Sequence, residues 1–237
     1  MSAPRTIRSA TSAGLFALPL YAVLLAVGSW SPQPDQVTDP DGWARFVASP
    51  SYLASHIVTG VVGPVLVVLG TFALTTLIAR RAPRLALTGL VLSTAGQVML
   101  TVPGVISTFA TPAVAHAYLR GNREAMTLEF TDVMTLITMI AVLLTVTGNV
   151  VLGVGIARSG LVPRWTGVVW GAAAVVFYLL GAALGMATTG ASLPTQPVGA
   201  ALLAVSGAAM AWTTTHRRRT EAAAEPMVPA PAGSSRP

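Results

Sequence analysis

Cysteine is absent from all 237 residues, which excludes disulfides, thiolate metal sites and cysteine nucleophiles. Lysine is absent as well, so fourteen arginines carry the whole of the fixed positive charge. Charge of either sign is scarce, at 9% of residues against about a quarter in a soluble domain. So few charges cannot coat a water-facing surface, and lipid must be the solvent over much of the chain. Aromatic residues are also few, at 6%.

What is abundant is apolar: 53% of residues, with a mean hydropathy of +0.69. A membrane-crossing helix needs roughly 20 apolar residues to traverse about 30 Å of hydrocarbon. Charge-free stretches supply such helices at Ala13 to Trp30, Tyr52 to Ala79, Leu85 to about Phe109, and between Asp132 and Arg158. The stretch from Arg164 to Arg217 is long enough for two, and the turn formers and two prolines of Thr188 to Pro197 divide it. The last spans then fall at Thr166 to Ala187 and Val198 to Thr214. The expected fold is all-α, a polytopic bundle of six transmembrane helices in one domain, 10–216, with a cytoplasmic N-terminus 1–9 and a disordered cytoplasmic tail 217–237. Arg5, Arg8 and the small residues Ala26-Val27-Gly28 also fit a cleavable secretory signal. The length of the apolar run and the spans that follow favour an uncleaved first helix.

With the N-terminus inside, eleven arginines face the cytoplasm and only Arg45, Arg120 and Arg123 lie outside. That is the positive-inside pattern, and it places both termini in the cytoplasm. The formal charge of +6 therefore reads as a topology signal, not as a nucleic-acid surface.

A shift of 78 residues lays the second and third spans on the fourth and fifth. Leu66, Gly70, Leu74, Ile78, Ala79, Arg80, Thr88 and Gly89 then match Leu144, Gly148, Leu152, Ile156, Ala157, Arg158, Thr166 and Gly167. A duplicated hairpin accounts for this, as does the small alphabet of apolar helices.

Lipid tails do not drive helices together, so close backbone packing and hydrogen bonds must. Gly167, Gly171, Ala174, Tyr178, Gly181 and Gly185 recur four and three apart, forming a packing stripe in the fifth span in which the Tyr178 hydroxyl needs a partner. Thr131, Thr135, Thr138, Val142, Thr145 and Asn149 form a second stripe in the fourth. The amides of Asn149 and of Gln97 in the third span need interhelical hydrogen bonds away from lipid. Pro19, Pro64 and Pro103 predict kinks in the first three spans. Pro64 has no counterpart 78 residues on, so the paired broken helices of a transport site are missing.

Ionisable groups at membrane depth mark a functional hypothesis, because an unpaired charge there is costly. His56 lies near the outer end of the second span, and Glu129 and Asp132 lie at the outer end of the fourth, three residues apart. With Gln97 these form a candidate polar pocket open to the outer leaflet, in which a carboxylate and an imidazole can exchange a proton. Ion pairs that simply anchor helix ends are the competing explanation. No His-x-x-x-His or comparable spacing is present, so no metal or cofactor is expected.

At His56 with the Gly-rich span after it, the Ala82-Pro83-Arg84 turn and the small-residue sixth span, the chain resembles uncharacterised polytopic membrane proteins of actinobacteria. The resemblance implies six spans and a plasma-membrane location, and lends no activity. Integral-membrane terpene cyclases are of similar size, but their cavities want more aromatic lining than is present here. The expected role is an accessory or transport-related membrane component, with a bilayer and a partner membrane protein or a second copy as neighbours. The alternative is a membrane-embedded enzyme acting on a lipidic substrate through Asp132, Glu129 and His56, and a third reading is a di-histidine haem protein.

Overall fold

A computed structural model describes residues 5–31, 33–127, 132–189 and 192–224. Among the described residues the regular structure is helical throughout, and six helices are long and apolar enough to cross a membrane. In chain order the helices are α1 (Arg5–Gly28), the short α2 (Pro40–Val47), α3 (Pro50–Ile78), α4 (Pro83–Leu119), α5 (Asp132–Ser159), α6 (Arg164–Thr188) and α7 (Thr195–Ala224). All except α2 are the spanning helices.

The helix starts follow local chemistry. Pro40, Pro50 and Pro83 occupy first-turn positions, where a missing N–H costs nothing. Asp39 caps α2 by accepting from the Gly42 N–H at 2.9 Å, and Ser49 caps α3 by accepting from the Tyr52 N–H at 3.2 Å. α2 buries Trp43, Ala44 and Val47 with Tyr52 and Ala115, closing over the start of α3 and the end of α4. Just before it, Asp35 accepts from the Val37 and Thr38 N–H groups, which holds its carboxyl below the usual range.

Two prolines widen their helices. α3 is π-helical over Val58–Val62 and α4 over Ile106–Ala110, and each π segment ends two residues before a proline, Pro64 and Pro112. A proline ring clashes with the carbonyl four residues back, here that of Gly60 or Thr108, and the wider turn makes room for it. This is why α4 runs to Leu119, about ten residues past the expected end near Phe109: neither Pro103 nor Pro112 stops it. A third π segment, Val175–Ala183 in α6, contains no proline.

The six spans form a closed ring. Each packs on its neighbours in chain order, and α7 returns to pack on α1. Pro19 of α1 is accommodated by Gly207 of α7, where a Cβ would meet the proline ring at 3.2 Å. Leu18 and Ala73 fill the space over Gly70 and Gly14 between α1 and α3. The backbones of α4 and α5 touch at Gly148 and Ser93, and those of α5 and α6 at Gly153 and Gly167. α6 and α7 meet backbone to backbone at Gly181 and Gln196, and the Ser206 hydroxyl donates to the Thr166 carbonyl at 2.7 Å.

The 78-residue register also holds for exposure. Across 63–80 the exposed residues are Val65, Leu69, Phe72, Thr76 and Arg80; across 141–158 they are Leu143, Thr147, Val150, Val154 and Arg158, the same positions after the shift. At the far end, α7 continues to Ala224, past Thr214 and through the first part of the tail expected to be disordered. Arg, Glu and Ala in that stretch are strong helix formers. Residues 225–237 lie outside the described residues.

Candidate functional site

Alternate members of the ring send polar side chains to its axis. Tyr21 of α1 and Tyr178 of α6 share a hydrogen bond of 2.7 Å between their hydroxyls, and the Gln97 amide of α4 donates to the Tyr178 hydroxyl at 2.7 Å. All three residues are buried. An amide or phenol in hydrocarbon is costly without a partner, so each fixes the position of the others and locks three non-adjacent helices together. Tyr178 lies inside the proline-free π segment of α6, and Gly63, directly after the π segment of α3, lies against the Tyr21 ring at 3.1 Å from where a Cβ would stand. π turns in membrane helices recur at functional positions, which makes this axial cluster the leading site in the bundle.

A second buried node joins α4, α5 and α6. The Asn149 carbonyl oxygen accepts from the Trp170 indole N–H at 2.9 Å, and its amide donates to the Thr145 carbonyl at 2.8 Å, with the Ser93 hydroxyl at 3.4 Å. Asn149 thus spends its donors and acceptor within the chain.

His56 sits half-buried in the second turn of α3, stacked on Tyr52 with ring centroids 3.8 Å apart. Its Nδ1 lies 3.0 Å from the Tyr52 carbonyl oxygen and 3.4 Å from the Ser55 hydroxyl. The Tyr52 hydroxyl reaches across to the Ser107 carbonyl of α4 at 3.2 Å. Asp132 is exposed at the first residue of α5. Glu129 lies outside the described residues. Gln97 is committed to the axial cluster and His56 to Tyr52, so these two work in separate settings. Among the described residues no three His, Asp or Glu side chains are grouped closely enough to hold a metal ion. His216 stacks on Trp212 at 4.0 Å near the far end of α7, across the bundle from His56.

The stripe of the fifth span is buried along its whole length, from Gly167 through Gly171, Ala174, Tyr178 and Gly181 to Gly185. Gly167 and Gly171 face α5, and Gly181 faces α7.

Residues 13–215 match the family described as a domain of unknown function, DUF4386. The chain belongs to that family. The match takes in every residue of the axial cluster and of the Asn149 node, and both π segments explained by proline. No curated protein matches the chain, and no solved structure does. This DUF4386 member is therefore an integral membrane protein with six spanning helices, and the family name carries no activity.

Tyr21, Trp170, Ser93 and Tyr52 escape a reading of the sequence alone. A tyrosine or tryptophan inside an apolar run counts as apolar, and its hydroxyl or indole N–H becomes visible only when a partner is known. Pro112 was the one signal for a π turn at Ile106–Ala110, since it repeats the spacing of Pro64.

Proposed function

We infer that this protein is a non-catalytic accessory component of the plasma membrane, with both termini in the cytoplasm. The observation that carries this reading is the chemistry of the interior. Among the described residues the buried polar side chains are Thr, Ser, Asn, Gln and Tyr, all uncharged. Those at the ring axis satisfy one another through Tyr21, Tyr178 and Gln97. A proton or ion path requires titratable or charged groups at depth, and a catalytic site requires an acid or base beside a cavity. The axis carries no carboxylate, imidazole or cationic side chain among the described residues, and its two phenols are spent on each other and on Gln97, so it ties three helices into one unit suited to presenting its outer surface to another membrane component. Arg80, Arg81, Arg84, Arg158 and Arg164, in the turns at one end of the bundle, support the orientation.

Alanine at His56, Glu129 and Asp132, singly and together, is the decisive test in a host with a measurable phenotype for the gene. The accessory reading expects normal membrane levels and an unchanged phenotype in all of them. Loss of the phenotype at normal protein level transfers the assignment to an enzyme working through the outer acid and His56. Reporter fusions at Ala82 and Gly160 are expected on the same, cytoplasmic side.

A further inference from the structure

The surface between α5 and α6 holds a groove of about 400 Å³ lined by Val150, Gly153, Ala157, Arg158, Val168 and Ala172, among others. It exists because glycine and alanine stand where the two backbones touch, so no side chain fills the space above the contact. We propose that this groove is a binding site for one anionic phospholipid of the arginine-end leaflet, with an acyl chain in the apolar trough and the phosphate on Arg158. Lipid binding here is independent of the accessory role inferred above.

Three observations set the occupant. The first is length. The groove extends from Arg158 to Val150 on α5 and from Gly167 to Val175 on α6, an advance of eight residues along each. At about 1.5 Å per residue that is roughly 12 Å, close to the half-thickness of a bilayer core of about 30 Å. One leaflet's acyl chain fits this span, whereas a partner helix crossing both leaflets would need a trough twice as long. The second is charge. Arg158 is exposed at the mouth, and among the described residues Asp35, Asp39, Asp41, Glu124 and Asp132 all belong to the opposite end of the bundle. A guanidinium at headgroup depth matches a phosphodiester in geometry and sign. The third is specificity within the molecule. At the equivalent positions of the α3–α4 hairpin, Thr75, Leu90 and Thr94 replace Gly153, Val168 and Ala172, although Arg80 keeps the place of Arg158. The same charge there has no small-residue trough beside it.

The test is native mass spectrometry of the full-length protein in detergent, titrated with phosphatidylglycerol or with phosphatidylcholine of identical chains. The proposal expects one tightly retained phosphatidylglycerol per chain and weaker retention of phosphatidylcholine. Arg158→Gln is expected to weaken phosphatidylglycerol on the order of five-fold, Arg158→Lys less so, and Arg80→Gln not at all. Ala172→Leu, a lipid-facing change that leaves the backbone contact intact, is expected to abolish the retained lipid while the protein stays monodisperse. Equal retention of the two lipids would overturn the proposal, and so would equal losses in Arg158→Gln and Arg80→Gln. A cross-link from position 172 to a second copy, competing with lipid, would assign the groove to self-association instead.

Discussion

The two hairpins, α3–α4 and α5–α6, share a register of Leu, Gly, Ile and Arg, and their first helices expose the same positions to lipid over 63–80 and 141–158. They differ in how their own helices meet. In the second hairpin Gly153 and Gly167 bring the backbones of α5 and α6 into direct contact. In the first, Thr75 stands in place of Gly153, and its hydroxyl is buried with no hydrogen-bond partner, as is that of Thr94. Gly89, the counterpart of Gly167, turns instead to Leu152 and Gly148 of α5. Helix α5 is therefore gripped from both sides by equivalent small-residue faces, one belonging to each hairpin.

The sharpest way to break this contrast is to exchange that residue. Gly153→Thr forces a side chain against the Gly167 carbonyl and is expected to cost about 3 kcal/mol, read as a lowered midpoint in detergent unfolding. Thr75→Val at the matching place removes an unpartnered hydroxyl and is expected to be neutral or slightly stabilising. If both changes destabilise alike, the hairpins do not differ as described. A smaller effect is expected at the Asn149–Trp170 bond, both of whose partners belong to the second hairpin. Asn149→Ala leaves the Trp170 indole N–H without its acceptor and should cost about 1–2 kcal/mol. A double-mutant cycle with Trp170→Phe should show the two changes to be less than additive. Strict additivity would mean that the 2.9 Å bond contributes nothing. The smallest effect belongs to the turns. Gly160 has φ +66° with open space around it, whereas its counterpart Ala82 has φ −141°. Gly160→Ala should cost about 1 kcal/mol from backbone conformation alone, and a thermal-shift series with Ala82→Gly would separate the two turns.

The number of spans was legible because apolar length against bilayer thickness leaves little freedom, and the Pro-rich segment from Thr188 to Pro197 marked the last reversal. The ends of α4 were less so, since a proline reads as a stop unless a π turn absorbs it, as happens before Pro112. Gln97 and Asn149 stood out because an amide in lipid must find a partner. Which partner was not encoded nearby: Tyr178 is 81 residues from Gln97, and Trp170 is 21 from Asn149. Tyr21 gave no warning at all, being one aromatic ring in an apolar helix. For His56, Tyr52 was the missing term, four residues back and on the same face, and it gives the imidazole an intrahelical role that sequence spacing alone leaves open.

The contact of α1 with α7, sealed at Pro19 and Gly207, sets an order of events during biogenesis. Helix α1 must wait for α7 before its Pro19 side is covered, and the Tyr21 hydroxyl has to wait for α6, 157 residues later, to meet Tyr178. Until then a phenol and the Pro19 side of α1 face lipid or the insertion machinery. A chain arrested before α6 thus presents an unfinished helix that quality-control proteases can distinguish from the finished protein.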